Sequence, residues 1–120
     1  MNKIIPTEHE ECVALVQYMS MKNIKYHHIN SETWTTSWKQ KHKAKSEGVV
    51  KGFPDYAIII KDKSNNNRLV FIEMKRTKGG RLSPEQKEWI KELNKCKGVK
   101  AYICKGFLEA KEVVDKYTKK

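Results

Sequence analysis

Gly52-Phe53-Pro54-Asp55-Tyr56-Ala57-Ile58-Ile59-Ile60 and, past a polar reversal over 62–67, Arg68-Leu69-Val70-Phe71-Ile72-Glu73-Met74-Lys75 are the residues that decide the fold. Pro54 fixes φ and Gly52 relieves crowding, so 52–55 reads as a turn that holds the Asp55 carboxylate at the head of an apolar run. Two such runs joined by a polar segment predict a β-hairpin, and their continuity predicts central strands buried on both faces. Antiparallel pairing brings the start of one strand to the end of the next, which sets Asp55 near Glu73 and Lys75. Glu73 and Lys75, two apart, leave from one face of their strand while Met74 packs on the other. Two carboxylates and the Met74 backbone carbonyl form an oxygen set suited to Mg²⁺, and an ammonium beside them suits hydrolysis of a phosphodiester.

Downstream, Gly79-Gly80 opens a flexible link before Ser83-Pro84-Glu85-Gln86, which combines an N-cap, a proline at the first helical position and a capping-box glutamine. The helix it starts is predicted to bury Trp89, Ile90 and Leu93 and to stop before Gly98. A third core strand over 99–104 and a final helix over 107–117, packing Leu108, Val113 and Val114, complete this half. Upstream, Thr7-Glu8-His9-Glu10 has the capping-box pattern, and Cys12, Leu15, Val16 and Met19 recur at helical spacing, predicting a helix over 8–21. Residues 25–29 read as a short strand. Residues 30–50 are polar, broken by Trp34 and Trp38, and read as an exposed loop holding a short helical piece. The order helix, strands, helix, strand, helix predicts a small α/β domain with helices covering a mixed sheet.

At 120 residues and 38% apolar, the chain suits one domain with one modest core. Its net charge of +11, from 25 Lys and Arg against 14 Asp and Glu, is spread along the sequence and favours a folded surface facing a polyanion such as nucleic acid. A membrane partner is disfavoured, because no segment reads as a spanning or anchoring helix and Met1-Asn2-Lys3 opens no signal peptide. Cys12, Cys96 and Cys104 are odd in number and unpaired in spacing, so they read as reduced, mostly buried residues of a cytosolic protein. His9, His27, His28 and His42 show no zinc spacing with them, although His28 falls close to the site by preceding the 30–50 loop.

Within the site, Lys75 is placed to orient or deprotonate water and to neutralise charge developing on the phosphorus. Gln86, in the first turn of its helix, is placed to position water or contact phosphate, though the capping box alone also explains it. Glu8 is the leading third acid, either completing the metal's coordination or holding a water beside it; Glu10 and Glu11 compete for the role, and an acid in a first helical turn is favourable without a metal. Lys51, Arg76, Lys78 and Arg81 flank the site as phosphate contacts. Trp34 and Trp38, four apart, are flanked by Lys39, Lys41, Lys43 and Lys45, and two accounts stand side by side: a lid whose rings cap the core, or an aromatic and basic flap on DNA.

Pro-Asp or Glu-x-Lys alone is an unspecific match; ordered together at hairpin spacing, with Ser-Pro-x-Gln at the next helix start, they are specific. The chain resembles the VRR-NUC family, a branch of the PD-(D/E)xK nuclease superfamily, and in particular its small stand-alone phage and bacterial members. The resemblance is carried by Lys51-Gly52-Phe53-Pro54-Asp55, Phe71-Ile72-Glu73-Met74-Lys75-Arg76 and Gly79-Gly80-Arg81-Leu82-Ser83-Pro84-Glu85-Gln86, with the Glu8 helix and His28-Ile29-Asn30 in agreement. It implies a restriction-endonuclease-like fold, Asp55 and Glu73 as metal ligands, Lys75 as the catalytic lysine, Gln86 as the site glutamine and Glu8 as the helix-one acid. It also implies Mg²⁺ or Mn²⁺ dependence and a homodimer that cuts branched DNA in the manner of a Holliday junction resolvase, inside a phage-infected or bacterial cell. Phe53 stands where Val is commoner, and Cys12 where the first helix often carries Gln. Neither departure removes a chemical group from the proposed metal site.

Three functions compete. The first is a metal-dependent, structure-selective DNA endonuclease leaving 5′-phosphate and 3′-hydroxyl ends. The second is a sequence-selective or nonspecific nuclease, for which one basic loop offers little base-edge contact. The third is a non-catalytic basic DNA-binding protein, which has no need of Asp55 and Glu73 where they repel phosphate.

Overall fold

A computed structural model describes residues 4–29 and 37–118. Its element order is α1 (Glu8–Met21), β1 (Lys25–His28), α2 (Trp38–Ser46), β2 (Tyr56–Lys61), β3 (Asn67–Lys75), α3 (Pro84–Asn94), β4 (Val99–Lys105) and α4 (Phe107–Thr118). Both predicted capping boxes form. Thr7 Oγ1 accepts from the Glu10 amide at 3.1 Å while Glu10 accepts from the Thr7 amide at 2.9 Å, and Ser83 and Gln86 do the same at 3.1 and 2.9 Å.

The four strands lie in the order β1-β2-β3-β4, antiparallel except for β3 and β4, which run parallel across the α3 crossover. The sheet is therefore mixed and the architecture α/β, as the sequence predicts. Tyr56 pairs with Ile72 and Ile58 with Val70, so these residues share one face. With Ile60, Met74 and Cys104 they meet Leu15 and Met19 of α1 and Ala110 and Val114 of α4, forming the core.

The opposite face carries Ala57, Phe71 and Ala101 in one row. Phe53 covers it, lying edge-on to Phe71 at 5.4 Å and to Trp89 of α3 at 4.8 Å between ring centroids. Further along that face Ile59 is 43% and Leu69 37% exposed. The expectation of two strands buried on both faces thus holds for β3 from Val70 to Met74 and fails for β2, whose burial alternates, because no helix covers the far end of that face.

Other expectations shift for local reasons. Leu108 is 73% exposed; the buried stripe of α4 is Ala110 and Val114, four apart, and Leu108 lies out of phase with them. Trp89, Ile90 and Leu93 are only half-buried, as α3 lies near the sheet's margin. Cys96 is exposed, whereas Cys104 is buried and Cys12 half-buried, and all three are free thiols. The 30–50 segment holds nine residues of α-helix in α2, capped by Ser37 Oγ on the Gln40 amide. Trp38 is 81% exposed and caps no core; Trp34 lies outside the described residues.

Candidate active site

Asp55 sits one residue before β2, and the register that pairs Tyr56 with Ile72 puts it opposite Glu73. There β3 runs on past the start of β2, and the Asp55 side chain occupies the exposed strand edge, Oδ2 accepting from the Met74 amide at 2.8 Å. A residue in an extended strand directs its N–H and C=O to the same edge, so the Met74 carbonyl opens toward Asp55 as well. The turn before Asp55 is pressed against α3. Gly52 has φ +93°, and a Cβ there would lie 2.7 Å from the backbone carbon of Glu85. Only glycine fits both conditions. Trp89 Nε1 donates to the Lys51 carbonyl at 3.2 Å, fixing the turn from its other side.

Glu73 is a buried charged residue, 3% exposed, on a strand otherwise apolar from Val70 to Met74. Its Oε2 accepts from Gln86 Nε2 at 2.9 Å and lies 3.8 Å from Lys75 Nζ. Its Oε1 is buried with no hydrogen-bond partner among the described residues. A buried, unsatisfied carboxylate oxygen is costly unless a cation meets it. Gln86 closes the capping box with its carbonyl, as the sequence predicts, and its amide makes a contact the spacing does not suggest, holding Glu73. The Lys75 backbone is pinned by its carbonyl, which accepts from the Gly106 amide at 2.9 Å. Gly106 has φ +89° and turns the chain from β4 into α4, whose first amide, Phe107 N–H, donates to the Glu11 carboxylate of α1. Glu11 is thereby placed as a cap of α4, away from the metal-ligand role in which it competed with Glu8.

The electrostatics follow from burial. Desolvation, then the neighbouring Asp55 charge, push the Glu73 carboxyl up to about 8. Asp55 is also raised by burial, against the Met74 amide, His28 and Lys75, which favour its charged form. Glu8 is raised by burial and then by Asp55. Three acids thus share one low-dielectric corner and oppose each other's ionisation, a condition a divalent cation relieves. Glu8, Asp55, Glu73, Lys75, Gln86 and His28 line one cleft of about 630 Å³. Yet among the described residues no three His, Cys, Asp or Glu side chains converge closely enough to hold a metal ion by themselves. Asp55, Glu73 and the Met74 carbonyl are oxygen donors of the kind Mg²⁺ or Mn²⁺ takes, with water filling the rest, and Glu8 lines the same cleft.

The basic residues divide. Lys51, Lys78 and Arg81 are exposed, Lys51 next to the cleft-lining Gly52. Arg76 is exposed too, but its guanidinium donates to the Pro6 carbonyl at 3.3 Å and the Ile5 carbonyl at 3.5 Å, tying the approach to α1 against the end of β3. Cys12 lines the cleft with its thiol pushed up to about 11 by burial, so it stays protonated and inert. His28, beside Asp55 with its ring 5.0 Å from that of Tyr56, is a cleft residue that spacing alone marks only as adjacent to the 30–50 segment.

The sequence pattern of the VRR-NUC domain matches residues 5–108. The chain belongs to the VRR-NUC family. Membership implies a nuclease of the PD-(D/E)xK type, with DNA as its partner and the divalent-metal dependence general to that family. A solved structure described as a VRR_NUC domain protein superposes with a TM-score of 0.73 at 25% identity, over 99% of this chain and 92% of that one. No curated protein matches the chain. Among the described residues no helix of this VRR-NUC chain is long and apolar enough to cross a membrane.

Proposed function

We propose that this VRR-NUC chain is a Mg²⁺- or Mn²⁺-dependent endonuclease that hydrolyses phosphodiesters in branched DNA such as Holliday junctions, acting as a homodimer. The observation that carries the metal-dependent reading is the buried Glu73 Oε1 next to Asp55, which lacks a hydrogen-bond partner among the described residues, with Lys75 Nζ 3.8 Å from the other Glu73 oxygen. Asp55, Glu73 and the Met74 carbonyl would hold the cation, which when bound would polarise the scissile phosphate and lower the pKa of water.

Asp55 is kept in place by the Met74 amide, and Glu73 by Gln86. Lys75 extends from the same strand face as Glu73, orients or deprotonates the attacking water and offsets charge growing on the phosphate oxygens. Gln86 acts through Glu73, and Glu8, lining the cleft, would complete the metal's ligands or hold a water bound to it. Lys51, Lys78 and Arg81 seat the neighbouring phosphates, with Arg76 contributing charge from its structural position. Lys39, Lys41 and Lys43 add to this field from α2. Two symmetric copies present two sites to two strands, the arrangement a four-way junction needs and one small domain lacks.

The test is cleavage of matched labelled substrates (four-way junction, flap, nicked duplex, linear duplex and single strand) with Mg²⁺, Mn²⁺ or EDTA, for wild type and Lys75→Ala. Metal-dependent cutting of branched DNA that disappears in the variant is the expected result. Tight binding without cutting in any metal contradicts it.

A further inference from the structure

Beyond the charge of its lysines, the helix α2 has no part in the chemistry above, and its composition is peculiar. From Trp38 to Ser46 it holds Lys39, Lys41, Lys43, Lys45 and His42, no acidic residue and one aromatic ring. It buries no residue, and Ala44 alone is less than fully exposed. Trp38, Lys41, His42 and Lys45 stand at i, i+3, i+4 and i+7 and so share one face. Lys39 and Lys43 lie away from it. The Ala44 carbonyl accepts from the Val49 amide at 3.0 Å, closing the C-terminal end of the helix. Trp38 itself is 81% exposed.

The stems of this excursion meet at the catalytic corner. Ile29 N–H donates to the Asp55 carbonyl at 2.6 Å, so the chain departs and returns beside the proposed metal ligand. His28, Ile29, Gly52 and Phe53 line the cleft at those stems. Nine helical residues span about 13.5 Å, the length of about four phosphates along one duplex strand. The last residue of α2, Ser46, stands six positions before the cleft-lining Gly52, so the chain itself tethers α2 to the nucleotides next to a phosphate seated on Asp55 and Glu73.

We propose that α2 is a nucleic-acid arm whose Trp38 stacks on an unpaired base next to the scissile phosphate while Lys41, His42 and Lys45 lie along the flanking backbone. This rests on the nuclease reading for the position of the scissile phosphate. Charge complementarity selects the occupant: an acid-free lysine helix on a chain of net charge +11 suits a polyanion. The ring selects its form. In a duplex both faces of a base are covered by its neighbours, so a protruding indole finds a partner only where a base has left the stack, as at a flap or junction. The arm then supplies preference for branched DNA without reading base edges.

The test reads binding in EDTA, separate from cutting, by fluorescence anisotropy on a flap and a fully paired duplex. A second flap carries 2-aminopurine at the unpaired position. Light scattering is run in parallel. Trp38→Ala is expected to weaken flap binding by about 5- to 150-fold and to abolish the 2-aminopurine response, with duplex binding within about twofold of wild type. Trp38→Phe is expected to retain most of both. Replacing Lys41 and Lys45 with Ala should weaken all substrates alike and lower the salt slope by about 2. Equal flap binding by wild type and Trp38→Ala overturns the proposal. So does a drop in affinity that tracks dissociation of a dimer, which makes the arm a contact between copies. A chain that binds through Trp38 but never cuts supports the arm and overturns the nuclease reading.

Discussion

Glu73 concentrates the conflict in this molecule: an acid on a buried strand, beside a second acid, with one oxygen lacking a partner. Its folded-state value near 8 lies above the ordinary 4.5. Between those limits the folded protein holds a proton that the unfolded chain has released, so metal-free stability falls as pH rises through the window. Asp55 and Glu8 shift in the same direction. Asp115, lowered to about 2 by the Tyr18 hydroxyl and Lys111, has the opposite sign, and its contribution is lost only as pH falls below its ordinary 3.8. Thermal melts in EDTA are therefore expected to show a midpoint that declines from pH 4.5 to about 8, and Glu73→Gln is expected to flatten the decline and raise the midpoint at its upper end. Gln86 works through Glu73, so Gln86→Ala should reduce cleavage by about 10- to 100-fold, with a higher metal concentration needed for half-maximal rate. Asp55, Glu73 and Lys75 were legible in the sequence because hairpin arithmetic needs only the strand ends. That Gln86 also holds Glu73 was not, since its spacing from Ser83 is satisfied by the capping box.

At the scale of elements, the site depends on contacts between pieces that are each weak alone. Gly52 lets the turn before β2 touch the first turn of α3. Gly52→Ala sets a side chain against both the φ of +93° and the Glu85 backbone, and is expected to lower stability by about 2–4 kcal/mol, read by denaturant unfolding. Asn94, closing α3, pairs with the open edge of β4: its amide donates to the Ala101 carbonyl at 3.0 Å and its carbonyl accepts from the Ala101 amide at 2.9 Å. Asn94→Ala leaves both groups without that partner and should cost about 1–3 kcal/mol in the same assay. The helices and strands of this layer were readable from caps and apolar runs. What they cover was not: Ile58 and Ile59 are equally apolar, and only the tertiary arrangement leaves one buried and the other 43% exposed. The helix α2 was readable only as a short helical piece without bounds, because it has no apolar stripe from which a period can be read.

For the whole molecule, an excess positive charge on a basic surface surrounds a corner where acids are forced together, and these two features make sense jointly. In the proposed function the surface would attract the polyanion, and the corner would take a cation that in turn takes a phosphate. The account also predicts an inverse relation between stability and activity at that corner, as removing the buried charge helps the fold and disables the chemistry. The most direct measurement pairs single-turnover cleavage of a labelled four-way junction in Mg²⁺ with thermal unfolding in EDTA, both on wild type and Glu73→Gln. The expected result is a variant at least as stable as wild type that cuts at least about 10³-fold more slowly; a folded Glu73→Gln protein that cuts at the wild-type rate would contradict the account.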